Sequence, residues 1–477
     1  MKTLLKRISV AYLPFADAAS DELPLGQLLR LSLFQISVGM AMVMLLGTLN
    51  RVMIVELQVP AFLVASMVAL PVLIAPFRAL LGFKSDTYKS AIGWKRIPYL
   101  WFGTLWQFGG LAIMPAALLV LGGDVTQVRY DIPYAGELLA GIAFLMTGLG
   151  MHMTQTAGLA LAADRATDET RPRVVALLYV MFLIGMGGSA LVIGWLLREF
   201  TAIELIQVIQ GTAVVTVVLN VIALWKQETV RPMTKAAREA EETPSFRDAW
   251  ADYLSGGVAG RLLVVVFLGT MAFNMQDVLL EPYGGEILGL SVSATTLLTA
   301  SWAVGALVAF GLAAKWLAGG INPFRMGGRG ILAGLAAFSA VIFAHPWDST
   351  PLFFAGAMLI GFGGGLFSVA TLTAAMTMPA GKAGRGLALG AWGAAQATAA
   401  GLATLIGGGL RDVINSAATQ GHLGVALNDP ATGYSVVYHL EILLLFVTLV
   451  ALGPLVRTAT TNREGGAGKF GLADLPT

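Results

Sequence analysis

Apolar runs of about 20 residues recur along this chain from Leu31 to Leu455, and nearly every lysine and arginine lies in alternate gaps between them. A helix of that length crosses the ~30 Å hydrocarbon core of a bilayer, because each residue adds ~1.5 Å. With 56% hydrophobic and 12% charged residues, a soluble domain would be covered with exposed apolar surface. The sequence therefore predicts an all-α polytopic membrane protein.

The apolar runs predict twelve transmembrane helices. They lie near residues 30–50, 60–82, 97–121, 135–162, 174–197, 203–225, 260–281, 292–315, 330–345, 351–376, 386–410 and 435–456. If the N-terminus is cytoplasmic, the opposite side of the membrane carries only four of the 30 lysine and arginine residues, namely Arg51, Arg129, Arg198 and Arg411. The positive-inside rule therefore predicts that both termini are cytoplasmic.

A long charged segment that begins at Lys226 divides the chain into two halves. We predict a cytoplasmic N-terminal segment, a first six-helix bundle, a cytoplasmic linker, a second six-helix bundle and a cytoplasmic tail. They cover residues 1–29, 30–225, 226–259, 260–456 and 457–477, and the first is interpreted either as an interfacial helix or as disorder. The halves repeat, because TGLGMHMTQTAGLALAA (147–163) aligns with IGFGGGLFSVATLTAAM (360–376). Two parallel six-helix repeats joined by such a linker are the architecture of the major facilitator superfamily.

The loop after the second span, GFKSDTYKSAIGWKRIPY, resembles the signature of that superfamily in the same loop. The matching residues are Gly82, Asp86, Gly93, Lys95 and Arg96, although the interval from the aspartate to the second glycine is longer than usual. This pattern predicts a conformational latch of charges between helix ends. The alternative is that these residues only anchor the loop on the cytoplasmic side.

Polar side chains inside predicted spans are costly in hydrocarbon, so each is a candidate functional residue. The densest set lies on the seventh span and its exit and comprises Asn274, Gln276, Asp277, Glu281 and Glu286. The spacing of Asn274, Asp277 and Glu281 predicts one stripe along a helix. The twelfth span begins GYSVVYHLEI, which places His439 and Glu441 at a similar depth.

Catalytic chemistry finds little support in the sequence. The chain has no cysteine, and its histidines and acids show neither zinc-site spacing nor a nucleophile-base set. The glycine-rich runs lack the Lys-Ser/Thr ending of a phosphate loop, so they predict close helix packing instead. The sequence predicts neither an enzyme nor a nucleic-acid-binding protein.

Three strings go beyond generic transporter character: GFKSDTYKSAIGWKRIPYLWFGTLWQFGG, HMTQTAGLALAADRATDETRPRVVALLYVMFLIGM and NMQDVLLEPYGGEILGLSVSATTL. They resemble the bacteriochlorophyll delivery family, the PucC/LhaA group of light-harvesting assembly proteins. ATGYSVVYHLEI is similar to the same family. The resemblance covers nearly the whole chain, and it is slightly greater to LhaA than to PucC.

The resemblance implies assembly of a bacterial light-harvesting antenna through delivery of bacteriochlorophyll or a related tetrapyrrole. The implied partners are antenna polypeptides, the reaction centre core complex, bacteriochlorophyll synthesis enzymes and membrane lipids, and the implied location is the photosynthetic inner membrane. Two alternatives stay open. One is a proton-coupled transporter of a small solute, with Asp277, Glu281 and His439 as titrating groups; the other is a transport-inactive scaffold.

His152 and Gln155 lie nearer the middle of the fourth span. A histidine there either packs through a hydrogen bond or serves as the axial ligand of a chlorin magnesium. Because magnesium prefers oxygen, the amide side chains, Gln155 among them, compete for that role.

Overall fold

The structure is a computed structural model. It describes residues 18–20, 23–50, 52–53, 57, 59, 61–122, 134–197, 201–230, 232, 234, 245–255, 257–290, 292–378, 384–424 and 427–466. The predicted interfacial helix falls mainly on residues 1–17, which lie outside these ranges. So do Arg51, Arg129 and Arg198, on which the predicted sidedness partly rests.

The described residues of the first half form helices joined by short connections. These are α1 (Leu25–Met42), which continues as a π-helix (Val43–Leu49), α2 (Ala61–Ile74), a 3-10 turn (Ala75–Phe77), α3 (Arg78–Asp86), α4 (Ile97–Leu121), α5 (Ala135–Arg165), α6 (Arg171–Leu196) and α7 (Ala202–Leu224). Local sequence explains several helix starts. Thr201 caps α7 by accepting a hydrogen bond from the backbone N–H of Glu204 at 3.1 Å.

The second half follows the same plan. Its elements are α8 (Phe246–Ser255), α9 (Val258–Asn274), a 3-10 turn (Met275–Val278), α10 (Leu280–Glu286), α11 (Val292–Ala318), α12 (Pro323–Ala344), α13 (Thr350–Thr377), α14 (Gly384–Thr419) and α15 (Ala431–Gly466). Asn322 caps α12 through its side-chain oxygen, 2.8 Å from the N–H of Phe324, and Pro323 occupies the first turn.

Ten helical stretches within the described residues are long and apolar enough to cross a membrane. The predicted second span appears as α2 and α3, and the predicted eleventh as α14, so each of the twelve predicted spans has a helical counterpart among the described residues. The observed helices depart from the predicted segment ranges at three places. Helix α1 begins inside the predicted N-terminal segment, α8 lies within the predicted linker, and α15 extends into the predicted tail.

The chain divides into two compact units. The first combines the described residues of Met1–Gly256 with Ala375–Leu402, which adds the end of α13 and the start of α14. The second consists of Gly257–Ala374 and Ala403–Thr477. Helices α4 and α5 pack along each other in the first unit, and α9 and α12 both pack on α15 in the second. The predicted bundles at residues 30–225 and 260–456 stay a prediction.

Glycines provide the close helix contacts that the sequence predicts. A Cβ atom on Gly150 of α5 would lie 2.2 Å from the backbone nitrogen of Gln107 in α4. In the run Gly361–Gly365, a Cβ on Gly361 would lie 2.0 Å from the carbonyl oxygen of Trp302. Such approach leaves no room for a side chain, which explains the glycine-rich composition as packing.

Candidate functional site

The predicted latch lies where α3 meets the start of α14 within the first unit. The carboxylate of Asp86 accepts hydrogen bonds from the backbone N–H groups of Gly386, at 3.0 Å, and Leu387, at 2.9 Å. It therefore caps α14, where the helix dipole favours a negative charge. Gly82 lies one turn earlier, and a Cβ there would be 1.8 Å from the carbonyl oxygen of Gly386. A glycine at position 82 is required for this contact.

Arg96 connects Asp86 to a second acid. Its buried guanidinium pairs with Asp86, donates to Ser85 Oγ at 2.5 Å and lies 3.0 Å from Asp164 Oδ2. Arg385, at the start of α14, lies 3.5 Å from the other oxygen of Asp164. These side chains join the ends of α3, α5 and α14 to the residue before α4 through alternating charges.

Burial and charge act in opposite directions in this network. Burial raises the pKa of Asp86, whereas Arg96 and the two backbone N–H donors lower it and leave a net rise. Burial lowers the pKa of Arg96, but the carboxylates of Asp86 and Asp164 outweigh burial and raise it. Removal of one partner from a buried ion pair leaves the other charge buried and unpaired, which strongly destabilises the protein. Asp86 and Arg96 therefore each require the charge of the other.

The other two latch residues have local roles. Gly93 adopts a left-handed backbone conformation, with φ +82°, in the turn before α4. The side chain of Lys95 is exposed, while its backbone N–H and those of Arg96 and Ile97 lie 3.1 Å from the carboxylate of Glu228. Glu228, which follows α7, therefore caps the start of α4.

Gln155 belongs to a second buried cluster, centred on Arg78 of α3. Arg78 is 2% exposed and donates hydrogen bonds to Gln155 Oε1 at 2.9 Å, Thr156 Oγ1 at 3.0 Å and the carbonyl oxygen of Gly393 at 3.3 Å. All three acceptors are uncharged, and no carboxylate among the described residues pairs with this guanidinium. A charged side chain held by neutral oxygens thus links α3, α5 and α14.

His152 is buried in α5 and contacts α2. Its Nε2 lies 3.1 Å from the carbonyl oxygen of Pro71. Because a carbonyl oxygen only accepts, Nε2 carries the proton in this contact. The nitrogen therefore has no lone pair to offer a metal, which agrees with the packing hypothesis.

The polar set on the seventh span surrounds a break in the helix. The chain turns from α9 into a 3-10 segment at Met275, and the N–H of Gln276 donates to Glu441 Oε1 of α15 at 2.7 Å. Glu441 is fully buried, and its Oε2 has no hydrogen-bond partner among the described residues. The seventh and twelfth spans therefore touch, a contact that the sequence analysis did not predict.

The predicted stripe is not a regular helical one because of this break. Asn274 Nδ2 donates to Asp277 Oδ2 at 2.9 Å, and the side-chain amide of Gln276 donates to Asp277 Oδ1. Asp277 is exposed, as is Glu281 on α10. The three predicted stripe residues thus span α9, the 3-10 segment and α10.

His439 lies on the exposed surface of α15, two residues from the buried Glu441. Its Nδ1 is 2.7 Å from the carbonyl oxygen of Ser435, one turn earlier in the same helix. His439 and Glu441 therefore share a depth but face different sides of α15, and the sequence indicated only the depth.

A groove of about 430 Å³ lies between the start of α4 and the end of α7. Its lining is aromatic and aliphatic, with Trp94, Trp101 and Trp225 prominent and Lys226 at one side. The lining offers no imidazole, carboxylate or amide side chain to a metal. Among the described residues, no group of three or more histidine, aspartate and glutamate side chains is placed to hold a metal ion.

The sequence-predicted residues thus form two groups. The latch residues, His152 and Gln155 lie in the first unit, and Asn274, Gln276, Asp277, Glu281 and His439 lie in the second. Sequence reasoning missed Arg78, although a lone arginine inside a predicted span was a usable signal. It also missed the pairing of Asp164 with Arg385, for which the spacing of residues gave no signal.

Residues 48–460 match the PUCC protein family. This chain belongs to the PUCC protein family. An uncharacterized protein of the puhA-bchM intergenic region of Rhodobacter capsulatus is 61% identical over 100% of this chain and 99% of its own length. Protein PucC of Cereibacter sphaeroides is 50% identical over 96% of this chain and 98% of its own length.

The solved structures support the same fold. A bacterial homologue of the iron transporter ferroportin superposes with a TM-score of 0.70 and 15% identity, covering 90% of this chain and 98% of its own. At that identity, the match concerns the fold of this PUCC family member. FucP, a transporter of the major facilitator superfamily, superposes with a TM-score of 0.61 and 14% identity over 93% of this chain and 99% of its own. The fold predicted from the repeat is therefore confirmed.

Proposed function

We propose that this protein is an assembly factor for a bacterial photosynthetic antenna, which binds bacteriochlorophyll and delivers it to antenna polypeptides. The observation that carries the proposal is the family match, which runs through both halves of the chain. High identity to PucC proteins over nearly full length adds support. The resemblance of whole motifs to light-harvesting assembly proteins connects this family to the antenna.

The membrane is the natural place for such a function. An apolar tetrapyrrole with a long hydrocarbon tail dissolves in lipid, so its carrier needs apolar surface within the bilayer. The helices provide that surface, and the inner membrane of a photosynthetic bacterium, with both termini cytoplasmic, is the proposed location. We assign no catalytic reaction to the chain.

The test is to purify the protein in mild detergents from pigment-replete cells and to record near-infrared absorption together with pigment extraction. Bacteriochlorophyll in a fixed ratio to protein is expected. A colourless protein in every detergent, which still copurifies with antenna polypeptides, would contradict delivery and favour the scaffold. Deletion of the gene should lower antenna absorbance, and unchanged absorbance would contradict the assembly role itself.

A second candidate is a proton-coupled transporter of a smaller solute, because the fold is shared with solute transporters. Asp277 and Glu281 would then be the first groups to examine, since both are exposed carboxyl side chains within a membrane span. Saturable uptake driven by a pH gradient, lost in Asp277→Asn and Glu281→Gln, would favour this candidate. Normal uptake with defective antenna assembly in these variants would favour the first.

A further inference from the structure

His439 presents an unusual combination for a membrane span, namely an exposed imidazole with one nitrogen already bonded. The residue lies eight positions after Ala431, where the span begins, so it is roughly 12 Å along the helix. Nδ1 lies 2.7 Å from the carbonyl oxygen of Ser435 and 3.3 Å from the Oγ of the same residue, and in the shorter contact Nδ1 is the proton donor. Nε2 therefore holds a lone pair, and no described residue bonds to it.

The exposed side chains along this face of α15 are apolar. Val436, Leu443 and Phe446 are all exposed on α15. They lie three residues before, four after and seven after His439, so the four side chains share one face of the helix. We call this face the His439 stripe. A ring nitrogen exposed to hydrocarbon has no water to bond, so an additional partner would stabilise it.

We propose that Nε2 of His439 is the axial ligand of the magnesium in a bacteriochlorin that lies against the His439 stripe. This assignment rests on the proposed function and names its ligand site. The imidazole donates its lone pair to magnesium, Nδ1 keeps its proton, and no other bond changes. A metal-binding histidine commonly donates its second N–H to a backbone carbonyl, which fixes the ring as Ser435 does here.

The other histidines lack this combination. Nε2 of His152 is occupied by the carbonyl oxygen of Pro71. His422 lies in the turn after α14, and His345 ends α12, so neither belongs to an apolar stripe within a span. The assignment therefore moves the axial ligand from His152 in the first unit to His439 in the second.

The experiment adds bacteriochlorophyll, or its metal-free bacteriopheophytin, to the purified full-length protein and follows binding by near-infrared absorption. His439→Leu should weaken bacteriochlorophyll binding at least about tenfold and shift the bound spectrum, because the ligand is lost. The same variant should bind bacteriopheophytin as the wild type does, since that pigment has no metal. His152→Leu is the matched control and should bind both pigments normally. Added imidazole should restore bacteriochlorophyll binding to His439→Gly.

The outcomes distinguish a failure of pigment delivery from a failure of the His439 assignment alone. If the wild type binds neither pigment, pigment delivery fails and the assignment of His439 fails with it. If the wild type binds bacteriochlorophyll and His439→Leu binds it with equal affinity and an unchanged spectrum, only the assignment is overturned. If His439→Leu loses both pigments equally while remaining folded, His439 shapes the surface and does not coordinate magnesium, which also overturns the assignment.

Discussion

Gly82→Ala tests whether the contact between α3 and the start of α14 is a closed state that can open. A Cβ on Gly82 would lie 1.8 Å from the carbonyl oxygen of Gly386, whereas ordinary contact begins at 3.4 Å. The methyl group therefore requires the two backbones to separate by about 1.6 Å at this point, the difference between those distances. The hydrogen bonds from Gly386 and Leu387 to Asp86 would lengthen as a result.

The cost follows from overpacking. An inserted methyl group in a close-packed interior typically costs ~1–3 kcal/mol. This cost applies only where α3 and α14 touch, so it lowers the stability of the closed contact relative to an open one. A change of ~1–3 kcal/mol corresponds to a shift of ~5- to 150-fold in the equilibrium between them.

The assay uses the absence of cysteine from the natural chain. Ala388→Cys introduces one thiol on α14 at a position that is 4% exposed. The rate of maleimide labelling in open membrane fragments should increase ~5- to 150-fold when Gly82→Ala is added. Gly187→Ala is the control, because a Cβ at this exposed helical position meets no atom within 4 Å. Equal labelling of the two double variants, both folded and equally abundant, would refute the reasoning.

Three further predictions follow from separate features. Glu228→Gln should lower the free energy of unfolding by about 1 kcal/mol, because a neutral amide accepts less strongly from the N–H groups that begin α4; an unchanged Tm in detergent would contradict this cap. His152→Leu should cost on the order of 1 kcal/mol through loss of the bond to Pro71, and a lowered pigment-to-protein ratio in the folded variant would show a ligand role instead. Reporter fusions after Arg129 and after Lys235 should report opposite sides of the membrane, and the same side for both would contradict the two-repeat topology.

Hydropathy located the helices well where one apolar run makes one helix. Helix α4 occupies Ile97–Leu121, the range predicted from the sequence, and Pro98 marks its first turn. The break at Met275 was not predicted, because the polar residues Asn274, Gln276 and Asp277 around it were interpreted as part of a stripe on one continuous helix. At the break, the backbone N–H of Gln276 donates a hydrogen bond to Glu441, which is 165 residues away along the chain.

Charged positions were harder to interpret than apolar ones. The loop signature pointed to Asp86 and Arg96, and these residues do contact each other, although their role as a conformational latch stays a prediction. The acceptors and donors that complete the network come from α5 and α14, and no spacing rule connects such distant segments. For the histidines, the sequence showed depth in the membrane but not which ring nitrogen is free. That distinction depends on one backbone carbonyl, Pro71 or Ser435.

The discontinuous make-up of the first unit has a consequence for the order in which the chain is synthesised. Residues Ala375–Leu402 belong to that unit, yet they follow Gly256, where its main segment ends. At ~5–20 residues per second, the ribosome needs roughly 6–24 s to make the intervening stretch. During that interval Arg78 lacks its acceptor on Gly393, and Asp86 has no helix start to cap. The nascent first unit therefore waits in the membrane without these hydrogen bonds, and it can reach its final packing only after α14 has been inserted.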